Sequence, residues 1–246
     1  MQRRARGVRP QLYATHDADA PTSGDSMSAE PPDWIRDLLS PPRLTPYLRA
    51  VGGSAEAGIR LYWWNSAVSA AFYGPLHCLE IGLRNTLHDT LRRHYARPDW
   101  WTLTQLKPHG ARKVKEAYEK LAGSDGRQFG PDDVVATLTF GFWVALLSRG
   151  YDRTLWVPTL HRAFPHYRGS RRELHDSLEA MLLLRNRVMH YEPIHHRDLA
   201  ADRAKIYRLL GYLSPEAARE VEPLDRIPEI LSRREGIHSN AYLPRF

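Results

Sequence analysis

Apolar positions along this chain recur with one dominant period. Leu76, Leu79, Leu83, Leu87 and Leu91 are spaced by three and four, as are Leu174, Leu178 and Met181. Such steps line up side chains on one face of an α-helix. No stretch alternates residue by residue in the manner of a half-buried strand, and no tandem repeat or low-complexity tract intervenes. The expectation is an all-α fold.

Caps and breakers divide the pattern into elements. Residues 1 to about 30 lack apolar periodicity and are rich in Arg, Pro, Ser, Asp and Gly, the composition of a disordered leader. "PDWIRDLL" and "PRLTPYLRAVGG" read as short helices, the second stopped by Gly52 and Gly53. Ser54 is an N-cap candidate for a long helix, without a capping box because Ala57 stands three residues on. Pro75 is expected to break or kink that helix, with a second one running from about Leu76 to Tyr95 until "RPDWW" ends it. Pro108 to Leu121 reads as a charged, peripheral helix, and "GSDGRQFGPDD" as a loop.

Asp132 or Asp133 then opens an apolar helix reaching about Leu147, and another spans Thr154 to Phe164. Ser170 begins "SRRE", a capping box, and Pro193 is expected to stop the helix behind it near Tyr191. The last clear helix covers about Arg197 to Leu213. The organisation expected is a leader over 1–30, a helical domain over 31–213 and a Pro-rich extension over 214–246, which carries Pro215, Pro223, Pro228 and Pro244.

Composition narrows this picture. Hydrophobic residues make up 42% of the 246, enough for a sizeable core. The longest nearly apolar run, Val134 to Leu147, is shorter than the ~20 residues a membrane helix needs, and no secretory signal pattern stands near the N-terminus. A single cysteine, Cys78, excludes an intramolecular disulfide framework and suits a reducing compartment. A soluble, cytoplasmic protein without a membrane partner is expected. The net charge of +7 is compatible with RNA or DNA as a partner without requiring one.

The capped helix carries an anomaly. Leu174, Leu178, Met181, Arg185 and Met189 are spaced by four, three, four and four, which puts an arginine on the apolar stripe. An unpaired buried guanidinium costs roughly several kcal/mol, so Arg185 needs a carboxylate, a helix C-terminus or an anionic ligand. Asn186 and His190 are four apart and meet on the adjacent face. Metal-free RNA cleavage by 2′-OH attack needs a proton acceptor, a proton donor and a cation for the phosphoryl oxygens, roles that these residue types can fill. Histidine moves protons near neutrality, arginine grips phosphate bidentately, and asparagine orients the others or bonds to the substrate. The tight form R-N-x-x-x-H occurs once; looser Arg-to-His spacings also occur at Arg9–His16, Arg168–His175 and Arg233–His238. From the residues alone, a structural ion pair suits Arg185 as well as a catalytic role does.

"RNRVMHYEPI" resembles the HEPN-type signature of the Abi-like (abortive infection) family. "YLRAVGG…AGIRLYWWNSAVSAAFYGPLHCLEIGLRN" resembles the N-terminal half of that family and "FGFWVALLSRGYDRTLW" its middle, so the likeness runs from about Arg43 to Leu213. The resemblance implies a HEPN-like helical bundle with additional peripheral helices. It implies a metal-independent endoribonuclease that needs no cofactor, acting in phage defence or as a toxin, with a neutralising antitoxin as partner. In such proteins two arginine–histidine motifs face each other, and with one motif per chain that implies a homodimer. The positions carried over as catalytic are Arg185, Asn186 and His190, with Glu80, Arg84 and Asn85 of "EIGLRN" as supporting residues. Met189 and Tyr191 depart from the family pattern beside the histidine, which removes support for any second-histidine role. The alternatives are a catalytically inactive RNA- or partner-binding module, and an all-α structural protein whose Arg185 pairs internally with Glu80 or another acid. Glu80 and Arg84, one turn apart, also read as an ordinary helical ion pair. Membrane proteases that share the Abi name do not fit a chain without a spanning segment.

Other clusters carry less. His190, Glu192, His195 and His196 are split by Pro193, which breaks the register a metal site needs. Cys78 has no nucleophile motif around it, and the two Trp pairs at 63–64 and 100–101 suit a core. "GSDGRQFG" lacks the ending of a phosphate loop.

Overall fold

A computed structural model describes residues 30–123 and 128–237. The expected leader and part of the "GSDGRQFG" loop lie outside them. Among the described residues every regular element is helical, and no helix is long and apolar enough to cross a membrane.

Two short helices, α1 (Asp33–Leu39) and α2 (Pro41–Ala50), lead into α3 (Ala55–Tyr95), a helix of 41 residues. At 1.5 Å per residue it is about 60 Å long. Ser54 caps it as expected, its Oγ accepting from the Ala57 N–H at 3.3 Å. Pro75 does not break it. The proline ring is buried along with Phe72, Leu76 and Leu79, so packing on both sides holds the turn that lacks one backbone hydrogen bond. Leu61, Trp64, Val68, Phe72, Leu76, Leu79, Leu83, Leu87 and Leu91 form its buried face and run the length of the core.

The expected peripheral helix is α4 (Pro108–Ala122), which buries only Gly110, Val114 and Ala117. The expected apolar helix ending near Leu147 is two helices, α5 (Pro131–Thr137) and α6 (Phe140–Ala145). Leu138 turns extended, and the Thr139 hydroxyl caps α6 by accepting from the Phe142 N–H. The helix expected over 154–164 is instead a chain of short 3₁₀ and π turns, because Pro158 denies the segment a continuous ladder.

Then α7 (Arg171–Met189) begins at the capping box: the Glu173 N–H donates to Ser170 Oγ at 3.2 Å, and the Ser170 N–H donates to the Glu173 carboxylate at 3.0 Å. The Asp198 side chain caps α8 (Leu199–Leu213) by accepting from the Ala201 N–H.

Residues 214–237 pack onto the core. Helices α9 (Pro215–Val221) and α10 (Ile227–Ser232) fold back, and Ile227, Ile230 and Ile237 join the same buried cluster as α3. The Trp64 indole donates to the Ile230 carbonyl at 3.0 Å, and Arg60 Nε to the Ile237 carbonyl at 2.5 Å. Arg203 of α8 grips Asp225 at 2.5 Å and Glu222 at 3.0 Å. Pro215, Pro223 and Pro228 stand in the first turns of short helices, where proline loses no hydrogen bond, and Pro244 lies outside the described residues.

Candidate functional site

The end of α7 meets the middle of α3, and here Arg185 finds its carboxylate. Its Nε lies 3.0 Å from Glu80 Oε2. Both side chains are partly shielded, with exposures of 30% and 21%. The position of Arg185 differs from expectation. Leu174, Leu178, Met181, Leu184 and Val188 are the buried residues of α7, so the stripe turns to 184 and 188 in its last turns. Two apolar residues are available at those positions, and they displace the arginine to the rim of the interface. Only its Nε is used; among the described residues no hydrogen bond is made by either terminal nitrogen. That leaves the paired N–H edge a phosphate or carboxylate would take.

Glu80 therefore reaches across to α7 and not along α3 to Arg84, which corrects the helical-pair reading. Arg84 donates to the side chain of its neighbour Asn85 at 3.1 Å, and both sit beside a small depression shared with His88, Asp89 and Asp132 of the α3–α5 junction. The structure thus brings Glu80 to the candidate trio and gives Arg84 and Asn85 other company.

His190 is the C-cap of α7 and is exposed. Neither its ring nor the half-buried Asn186 side chain makes a hydrogen bond among the described residues. Arg185 and His190 are five positions apart, about 140° around a helix axis. One copy thus presents guanidinium and imidazole on different flanks of a helix end, not in mutual contact.

The turn after His190 is tightly specified. The Tyr191 N–H donates to the Val188 carbonyl at 3.2 Å and the Glu192 N–H to that of Arg187 at 2.8 Å, the paired bonds of a Schellman ending. Tyr191 occupies the left-handed position, at φ 57°, where glycine is usual. Arg43 of α2 donates to the Tyr191 carbonyl at 2.8 Å. Asn65 of α3, buried, accepts from the N–H groups of Ile194 and His195 at 2.8 and 3.1 Å. His195 is buried against Tyr47, and burial, then the charges of His196 and Arg234, pushes its imidazole down to about 4. It is a neutral core residue, whereas His190 and His196 are exposed. A separate trio on the outer side of α7, His175, Asp176 and Glu179, lies within 4.8 Å of one another. His175 is half-buried and the two acids are exposed, and side chains three and four apart on a helix meet in this way without a ligand.

Beside this turn lies a cavity of about 700 Å³, walled by α1, α2, α3 and the end of α7. Val188, Met189 and Tyr191 form one side, and Tyr62, Asn65, Ser66, Ser69 and Tyr73 the other. Residue spacing along the chain does not announce it. Its one legible sign is Asn65, a polar residue between Leu61, Trp64 and Val68 on the buried face of α3. Arg43 and Tyr47 are four apart on α2, and Asn65 and Ser69 four apart on α3, but no spacing marks the two pairs as one set.

No family model, no curated protein and no solved structure matches this chain.

Proposed function

We propose that the protein is a metal-independent endoribonuclease of the HEPN type, acting in phage defence or as a toxin. Two copies are proposed to meet through the ends of their α7 helices and share one cleft. Arg185 binds the scissile phosphate, His190 moves a proton or stabilises the leaving oxygen, and Asn186 orients them. The observation carrying this reading is the half-used guanidinium. Glu80 holds Arg185 by Nε, its terminal N–H groups are unpaired among the described residues, and an exposed His190 stands at the same helix end. The separation of Arg185 and His190 around the helix supports a site completed by a second copy.

The test is cleavage of mixed-sequence RNA in EDTA by the purified protein. Arg185→Ala and His190→Ala are each expected to lower the rate at least ~100-fold, with the dimer retained in sedimentation. Normal cutting by both variants overturns the assignment.

The Glu80 contact also favours a second reading, an RNA- or partner-binding module in which Arg185 serves as an anchored cation. Binding of several RNAs without strand scission, abolished by Arg185→Ala, supports that reading against the first.

A further inference from the structure

A small pocket stands away from the α7 end, and the charged groups around it are all basic. Its volume is about 260 Å³. Thr90, Arg93 and His94 of α3 line one side, and Thr159 and Arg162 of the 3₁₀ turn at Leu160–Ala163 line the other. Thr90 and His94 lie 10 and 14 residues beyond Glu80, so the pocket is about 15–20 Å along α3 from the Glu80–Arg185 contact.

Both arginines are exposed, and both hold unspent donors. Arg93 gives Nε to the Asp89 carbonyl at 3.1 Å, and its terminal nitrogens make no hydrogen bond among the described residues. The Arg162 side chain makes none at all and meets no carboxylate among the described residues. The exposed His94 ring packs edge-to-face on Tyr95, with neither nitrogen bonded among the described residues. No acid lines the pocket. Asp89, one turn before Arg93, turns its carboxylate to Arg92 at 3.3 Å. Two permanent cations brought together from distant parts of the chain repel each other. An anion between them relieves that repulsion.

The remaining groups narrow the choice of anion. The Thr90 hydroxyl does not bond back to the carbonyl four residues earlier, as those of Thr45 and Thr137 do in their helices, so its donor is available at the pocket floor. A planar carboxylate has two oxygens and matches one guanidinium. A phosphate has oxygens spread in three dimensions, which suits two guanidiniums, an imidazole and a hydroxyl approaching from two elements. The volume is also below the ~300–1,000 Å³ of sites for drug-sized ligands, which favours a group of phosphate size over a ring system.

We propose that this pocket binds a phosphate group, gripped between Arg93 and Arg162, with His94 and the Thr90 hydroxyl completing its donors. A phosphate belonging to an RNA strand rests on the nuclease reading; the oxyanion chemistry does not.

The test uses the full-length protein and inorganic phosphate, followed by ³¹P NMR at fixed ionic strength in chloride. Saturable binding is expected. Arg93→Gln and Arg162→Gln are each expected to weaken it about tenfold, with the melting temperature in chloride unchanged because both side chains are exposed. Arg172→Gln, an exposed arginine of α7 outside the pocket, is expected to bind phosphate as the wild type does. No saturable binding at millimolar phosphate, or wild-type affinity in both pocket variants, overturns the proposal.

A single-stranded RNA, measured in the His190→Ala background, separates the two sources. Loss of one phosphate contact lowers the slope of log affinity against log salt by ~0.7. That drop in Arg162→Gln identifies the phosphate as one of a bound strand, and an unchanged slope identifies free phosphate or a small phosphorylated ligand; both keep the site. RNA cleavage without phosphate binding sinks the pocket alone, and phosphate binding without RNA cleavage sinks the nuclease alone.

Discussion

His195 shows how one side chain couples burial to acidity. It is buried beside Tyr47 and His196, and its imidazole is pushed down to about 4, first by loss of hydration. A histidine of this kind is neutral in the folded protein down to that pH, but in the unfolded chain it takes up its proton near ~6.5. As pH falls below that value the unfolded state binds the extra proton first, so stability is lost progressively between about 6.5 and 4. His88 acts in the same direction: burial lowers it, and its Nδ1 accepts from the Trp100 indole at 3.1 Å, a role that a protonated nitrogen cannot fill. Urea unfolding at pH 7 and pH 5 is expected to show lower stability at pH 5, and His195→Gln to reduce that difference. An unchanged difference in the variant would mean that His195 is open to water in solution.

At the scale of elements, α7 shows what local chemistry specifies and what it leaves open. Its start is fully local. Ser170 and Glu173 satisfy each other's backbone N–H groups, and the four-residue pattern that does so is visible in the bare sequence. Replacing Ser170 by alanine is expected to cost about 1 kcal/mol, seen as a lower urea midpoint with an unchanged slope. Its far end is not local. Periodicity alone puts Arg185 and Met189 on the stripe, but Leu184 and Val188 are equally apolar choices within reach of the same face. Packing of α7 against α3, α6 and α8 decides between them. The same limit explains α3 and α6. Pro75 is a strong local breaker overruled by packing on either side, whereas Leu138 and Thr139 end a helix without any glycine or proline to announce it. The candidate trio is legible because it lies on consecutive turns of one helix. The Glu80–Arg185 contact spans 105 residues, and the cavity gathers Arg43, Tyr47, Asn65 and Ser69 from two helices. Such encounters depend on the tertiary arrangement, which no short spacing encodes.

For the molecule as a whole, the long helix α3 is the spine, and the question is what closes the core around it. From the N-terminal side, α2 packs on its first turns; from the C-terminal side, α10 and the turn at Ile237 cover the same region. Trp64 lies between them, fully buried, with its indole N–H bonded to the Ile230 carbonyl. Arg60 reaches the Ile237 carbonyl one turn earlier on α3. If residues 214–246 were a dispensable extension, removing them would leave stability nearly unchanged. With these contacts, removal exposes Trp64 and the apolar flank of α8, deletes Ile227, Ile230 and Ile237 from the core, and leaves Arg203 without Asp225 and Glu222. A single Ile230→Ala substitution is expected to cost about 2–5 kcal/mol, the usual range for emptying a buried isoleucine site. Truncation after Ser214 is expected to exceed that and abolish cooperative thermal unfolding. Retention of a sharp transition by the truncated chain would show that α3, α7 and α8 form a core without this closing segment. In that case the α7 end, with Arg185, Asn186 and His190, would stand on a smaller scaffold than the packing around Trp64 indicates.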